Sequence, residues 1–126
     1  MINLPPDFKQ QWLEALRTPG KYAQTVGNLR RPHATPEYGP AFCCLGVACD
    51  ISGTEWDDAS SFMAYPNPDE HKLPPGVEEC LTSTWGPRPA IIDLDADSDV
   101  QAILSHLNDT YHYTFEQIAD VIEANL

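Results

Sequence analysis

Positive charge is scarce in this chain. Seven lysines and arginines stand against nineteen acids in 126 residues, a formal net charge of −12 at pH 7. Nucleic-acid binding rests on neutralising phosphates, so a balance this acidic argues against direct contact with DNA or RNA. Long apolar runs are missing too: no stretch reaches the ~20 apolar residues that cross a bilayer as a helix. Residues 1–7 lack the basic-then-apolar order of an export signal. A cytoplasmic protein without membrane contact is the expectation. Internal repeats and low-complexity linkers are also lacking. A chain of 126 residues builds one core and not two, so residues 1–126 read as a single domain.

Metal-ligand spacing is lacking as well. Cys43, Cys44 and Cys49 do not show the two-residue gap of a zinc knuckle. Asp93, Asp95 and Asp97 match the first three ligand positions of a calcium loop. Ser98 then stands where that loop needs glycine, and Leu104 where it needs glutamate. Neither a metal nor a cofactor is expected. In a cytoplasmic chain the four cysteines are expected as reduced thiols, and a bond between the neighbours Cys43 and Cys44 would strain the peptide between them.

What the chain does have is one dense apolar block, residues 41–51, which carries three of the four cysteines. Cys44, Val47, Ala48 and Ile51 fall at helical spacing, and Gly53 stands just past the end, where helices favour glycine. Residues 41–51 therefore read as a central buried helix, with a buried strand over 42–49 as the alternative. Gly46 inside such a helix costs about 1 kcal/mol relative to alanine, and the return expected for it is close approach of another backbone.

Amphipathic spacing elsewhere predicts further helices. Phe8, Trp12, Leu13 and Leu16 line one face over about 6–17, closed by Thr18-Pro19-Gly20. A helix of one to two turns starts near Pro75, with Val77, Cys80 and Leu81 inward. Ser98 with Gln101, and Thr114 with Gln117, read as capping boxes that open helices over about 99–107 and 115–124. Residues 21–31 show no clean period. Residues 32–40, with three prolines, read as loop. Residues 62–65 and 90–94 are candidate strands of a minor β-hairpin. The fold expected is α+β, mainly α: a small domain with a central buried helix, a C-terminal helix pair and a short hairpin.

Several stretches resemble a family of small phage and prophage proteins. They are Trp12-Leu13 with Ala15-Leu16-Arg17; Tyr22, Gln24, Gly27 and Leu29; and Phe42-Cys43-Cys44-Leu45-Gly46-Val47 with Cys49-Asp50. In the tail they are Leu107-Asn108-Asp109 and Phe115 with Ile118-Ala119-Asp120 and Ile122-Glu123. Leu73-Pro74-Pro75 with Val77 fits as well. The resemblance spans nearly the whole chain. It implies a phage or prophage origin and expression in a bacterial cytoplasm, and it carries no settled activity.

Three sets of residues are candidates for function. Cys43 and Cys44, in the first turn of a helix begun near Phe42, would have their thiol pKa lowered by backbone N–H groups. With His106 or His112 as base they would make a cysteine-dependent hydrolase. The competing reading makes these cysteines small buried hydrophobes. Residues 1–31 carry five cations against Asp7 and Glu14, a balance of +3, while the remainder carries seventeen acids against Lys72 and Arg88, a balance of −15. Arg17, Lys21, Arg30 and Arg31, with Tyr22 and Trp12 nearby, could hold a small anionic, nucleotide-like signal; ordinary surface cations are the alternative. Glu116, Asp120 and Glu123 make the last helix too acidic to read DNA. They suit a host protein with a basic surface, or serve solubility alone. The leading expectation is a phage accessory protein that binds and inhibits a host factor, such as a defence component, without catalysis.

Overall fold

The computed structural model describes residues 2–35, 39–56, 66, 71–85 and 98–126. In chain order these form α1 (Pro6–Arg17), β1 (Ala23–Gln24), β2 (Arg30–Thr35), β3 (Gly39–Phe42), α2 (Cys44–Ile51), α3 (Pro75–Thr82), α4 (Val100–Asp109) and α5 (Phe115–Asn125). The fold is α+β and mainly α, with a C-terminal helix pair, α4 and α5.

The apolar block divides at Cys43, which corrects the expectation of one helix from residue 41. Ala41 and Phe42 belong to β3, the middle strand of a three-stranded sheet in the order β1-β3-β2. The strand pairs parallel with β1 and antiparallel with β2. Cys43 is the N-cap of α2: its sulfur accepts the Gly46 N–H at 3.4 Å. From Cys44 to Cys49 every residue of α2 is buried. A helix apolar on all sides belongs in a core, and this one is wrapped by α1, α4 and the sheet. At its far end Ser52 is the C-cap and Gly53 follows with φ +92°, the left-handed turn that glycine takes without penalty.

Close approach explains Gly46. A Cβ built there would overlap the Leu29 carbonyl oxygen and stand 2.7 Å from the Leu29 carbonyl carbon. The same carbonyl accepts the Cys43 N–H at 3.3 Å, so the backbone ahead of β2 is held against the start of α2.

The N-terminal helix runs as its spacing predicts, Pro6–Arg17, with Phe8, Trp12, Ala15 and Leu16 buried. It packs on α5 and α2, and the Trp12 indole N–H donates to the Cys44 carbonyl at 3.1 Å. Lys9 reaches across to the Glu123 carbonyl at 3.1 Å, and the Leu4 N–H donates to the Leu126 carbonyl at 3.0 Å. The short helix starts at Pro75 and buries Val77, Cys80 and Leu81, as expected.

Residues 30–35 are strand rather than loop. Proline lacks the N–H that a central strand must donate, but β2 is an edge strand. Its register with β3 also shifts between Arg31 and Thr35, an irregularity that tolerates Pro32. The hairpin of the structure is thus β2–β3. The strands expected at 62–65 and 90–94 lie outside the described residues.

Both C-terminal helices are capped, one of them differently from expectation. Asp99, not Ser98, is the N-cap of α4: its carboxylate accepts the Ala102 N–H at 2.9 Å, and Gln101 donates to the same side chain. The Ser98 carbonyl instead accepts the Trp85 N–H, part of a single bridge between Thr84 and Asp99. Thr114 and Gln117 form the reciprocal box at the start of α5.

Candidate functional site

The cysteine block is interior. Cys43 is 4% exposed, and Cys44, Cys49 and Cys80 are sealed completely. Burial pushes the Cys43 thiol up to about 12 and Cys80 to about 11; Cys44 and Cys49 are raised for the same reason. This reverses the expected effect of the helix terminus. The Gly46 N–H does favour the Cys43 thiolate, but loss of solvent outweighs it. The Cys44 thiol donates to the Leu104 carbonyl at 3.6 Å. His112 is exposed, and the half-buried His106 has its ring 6.1 Å from that of Tyr111. Among the described residues neither imidazole is a hydrogen-bond partner of a thiol.

The candidate cations are dispersed. Arg17 donates to Asp120 at 2.9 Å and to Glu123 at 2.6 Å, clamping α1 to α5. Two of the three acids expected on a partner surface are therefore engaged by a cation expected in a ligand site. These partners raise the Arg17 pKa, and Arg17 lowers that of Glu123. Glu116 lies exposed on the first turn of α5, outside that clamp. The Arg30 guanidinium sits 5.9 Å from the centre of the Trp56 ring. Arg31 is exposed on β2, opposite Ala41 of β3. Trp12 is fully buried in the core and lines no surface site.

Lys21 and Tyr22 do share a site. They line a cleft of about 530 Å³ together with Pro40, Phe42 and Asp50. The cleft lies where the turn after α1 meets the end of β3 and the last turn of α2. Asp50 organises it. Its Oδ2 accepts the Tyr22 hydroxyl at 2.5 Å, and its Oδ1 accepts the Trp56 indole N–H at 3.1 Å. Burial, followed by the bond to Asp50, raises the Tyr22 pKa, so the phenol stays protonated as the donor. The rings continue in a chain, Tyr22 to Phe42 at 5.1 Å, Phe42 to Trp56 at 6.0 Å and Trp56 to His71 at 5.5 Å. Thr54 secures that end by donating to the His71 carbonyl at 2.6 Å. Sequence reasoning missed Asp50 as a site residue. The signal for it was a lone acid closing an apolar helix.

A second polar node was also missed. Asn108 is completely buried. Its amide donates to the Thr25 carbonyl at 2.8 Å and to Asp109 at 2.7 Å; its oxygen accepts from Gln24 at 2.8 Å and from the Cys44 N–H at 3.3 Å. Gln24 also donates to the Tyr113 carbonyl at 2.7 Å. One side chain thus ties the end of β1, the start of α2 and the end of α4. This node does structural work beneath the surface, whereas the Asp50 cleft is open to solvent.

Among the described residues no group of three or more His, Cys, Asp or Glu side chains is placed to hold a metal ion. Asp93, Asp95 and Asp97 lie outside those residues. Among the described residues, too, no helix is long and apolar enough to cross a membrane.

These features define a small α+β domain built on a buried cysteine-rich helix, with an aromatic and acidic cleft at the end of that helix. Residues 4–126 match the family described as Domain of unknown function (DUF8296), and the chain belongs to that family. No curated protein and no solved structure matches it.

Proposed function

We propose that this is a phage-encoded accessory protein that acts by binding: it occupies and inhibits a host protein in the bacterial cytoplasm, without catalysing a reaction. The phage origin comes from the resemblance of the cysteine block and the tail. One observation carries the mode of action. The residues best suited to nucleophilic chemistry are folded into the core with their thiols neutral, while the −12 charge is left for contact with others. A surface of one sign accelerates encounter with a partner of the other and selects against partners of its own.

Affinity capture with the tagged protein from host lysate tests the reading. A stoichiometric partner that dissociates as salt is raised supports it. Recovery of no such partner from any permissive host counts against it.

Sequestration of a small anionic, nucleotide-like signal is the second reading, favoured by Lys21 and Tyr22 lining one cleft. The Asp50 carboxylate in that same cleft opposes it, because a bound anion would meet a like charge.

A further inference from the structure

We infer that the cleft at Asp50 receives an arginine side chain of the protein partner. This rests on the reading that the protein works by binding, and it names the chemistry the partner brings.

Asp50 lies in the last turn of α2, at the negative end of the helix dipole, and that turn holds no basic residue. Tyr22 and Trp56 each donate to a different oxygen of its carboxylate. An ionised carboxylate offers about four acceptor positions, so the two bonds fix its orientation and leave room for a forked donor. The carboxylate is aimed before any ligand arrives, which reduces the entropy lost on binding.

The walls suit the same ligand. Tyr22 and Phe42 line the cleft, with their rings edge to face at 5.1 Å. Aromatic faces attract guanidinium groups, which are planar and weakly hydrated. The chain makes this contact itself next door, with Arg30 against Trp56. A cleft of about 530 Å³ has room for one long side chain. Arginine fits better than lysine, because a compact ammonium neither forks onto a carboxylate nor stacks on a ring.

Lys21 sits at the exposed rim and works against a cation there. This gives the test its sign. The probe is N-acetyl-arginine methylamide, titrated into the isotope-labelled full chain by NMR, with N-acetyl-glutamine methylamide and inorganic phosphate as the other arms. The arginine probe is expected to give saturating shifts at Lys21, Tyr22 and Asp50, and the glutamine probe none. Lys21→Glu should tighten the arginine probe about threefold, the scale of an exposed charge pair. Asp50→Asn should weaken it about tenfold. Equal responses to arginine and glutamine probes overturn the inference, as does phosphate binding that Lys21→Glu abolishes. Should Asp50→Asn fail to fold, the Lys21→Glu arm still decides, because weaker arginine binding there is equally contradictory. A host complex that survives Asp50→Asn in the folded protein overturns this inference alone and leaves the binding reading standing.

Discussion

The Leu29 carbonyl oxygen lies in the space that a side chain on Gly46 would take. It is held there by accepting the Cys43 N–H, so it cannot withdraw without leaving that buried N–H unpaired. Gly46→Ala is therefore expected to be strongly destabilising, although alanine is the better helix former. Overpacking against a flexible side chain costs about 1–3 kcal/mol, and a fixed carbonyl places this substitution at the upper end or beyond. Urea denaturation of the variant measures it. A loss below about 0.5 kcal/mol would show that the two backbones can separate.

Asn108 is the second place where one atom set holds several elements. Asn108→Ala leaves the Cys44 N–H and the Thr25 carbonyl without that partner, while the exposed Gln24 amide keeps its bond to the Tyr113 carbonyl. Each buried polar group so abandoned costs about 1–3 kcal/mol, and water entering the hole recovers part of that. The expected net loss is about 2–4 kcal/mol by thermal or urea unfolding. Asn108→Asp is expected to be no milder, since it removes the donor to Thr25 and places a charge in the core.

The thiols should be silent in the folded state. Iodoacetamide at pH 8 is expected to leave all four cysteines unmodified in native protein and to label all four in urea, read by intact mass. The same burial predicts an alkaline limit. Unfolded thiols ionise near their ordinary value of about 9, whereas folded Cys43 is held to about 12 and Cys80 to about 11. Between those values the unfolded chain gives up protons that the folded chain keeps, so stability is full below about pH 9 and falls as pH rises further. Tyr22, also raised, adds to this loss.

Arg17 predicts the acid side. Its bond to Glu123 lowers that carboxyl, so the pair stabilises the fold above the ordinary glutamate range and the contribution is lost as pH falls through the lowered value. Asp120 and Glu123 are 75% and 59% exposed, which makes this a surface clamp that salt weakens. Arg17→Ala should lower the melting temperature slightly at low ionic strength, and the difference from wild type should shrink in 1 M salt and as pH falls through the lowered Glu123 value. A difference that persists under both conditions would mean that Arg17 acts through packing of its aliphatic stem.

Local signals carried much of this architecture. The spacing of Phe8, Trp12 and Leu16 delimits α1, and Gly53 marks the end of α2. Thr114 with Gln117 opens α5, and Gly46 foretells a close backbone contact. What was illegible depends on partners far away in the chain. Pro32 reads as loop because nothing local says that residues 30–35 lie at a sheet edge, where proline is tolerated. Phe42 falls inside the expected helix over 41–51, with a strand over 42–49 as the alternative, and is strand because β1 and β2 flank it. Asn108 reads as a helix terminator, and only its contacts with Gln24, Thr25 and Cys44 reveal a buried node. Arg17 looked available to a ligand because its two acids follow more than a hundred residues later.

The same distance effect governs the candidate site. Tyr22 and Lys21 were legible as surface-directed residues near a basic cluster. Asp50 was not, because its role depends on the Tyr22 hydroxyl and the Trp56 indole meeting it from separate loops. That meeting sets a carboxylate beside Lys21 in a site expected to attract anions.

The central claim is that function lies on the charged surface and not in the cysteine block. Host-lysate capture with two variants side by side tests it most directly. Cys43→Ala leaves the charged surface intact, whereas Glu116→Lys reverses an exposed acid without touching the core. Both should first be shown to be folded by circular dichroism. Cys43→Ala is expected to retain the stoichiometric partner of the wild type, and Glu116→Lys to lose it. Retention by the charge variant together with loss by folded Cys43→Ala would contradict the claim.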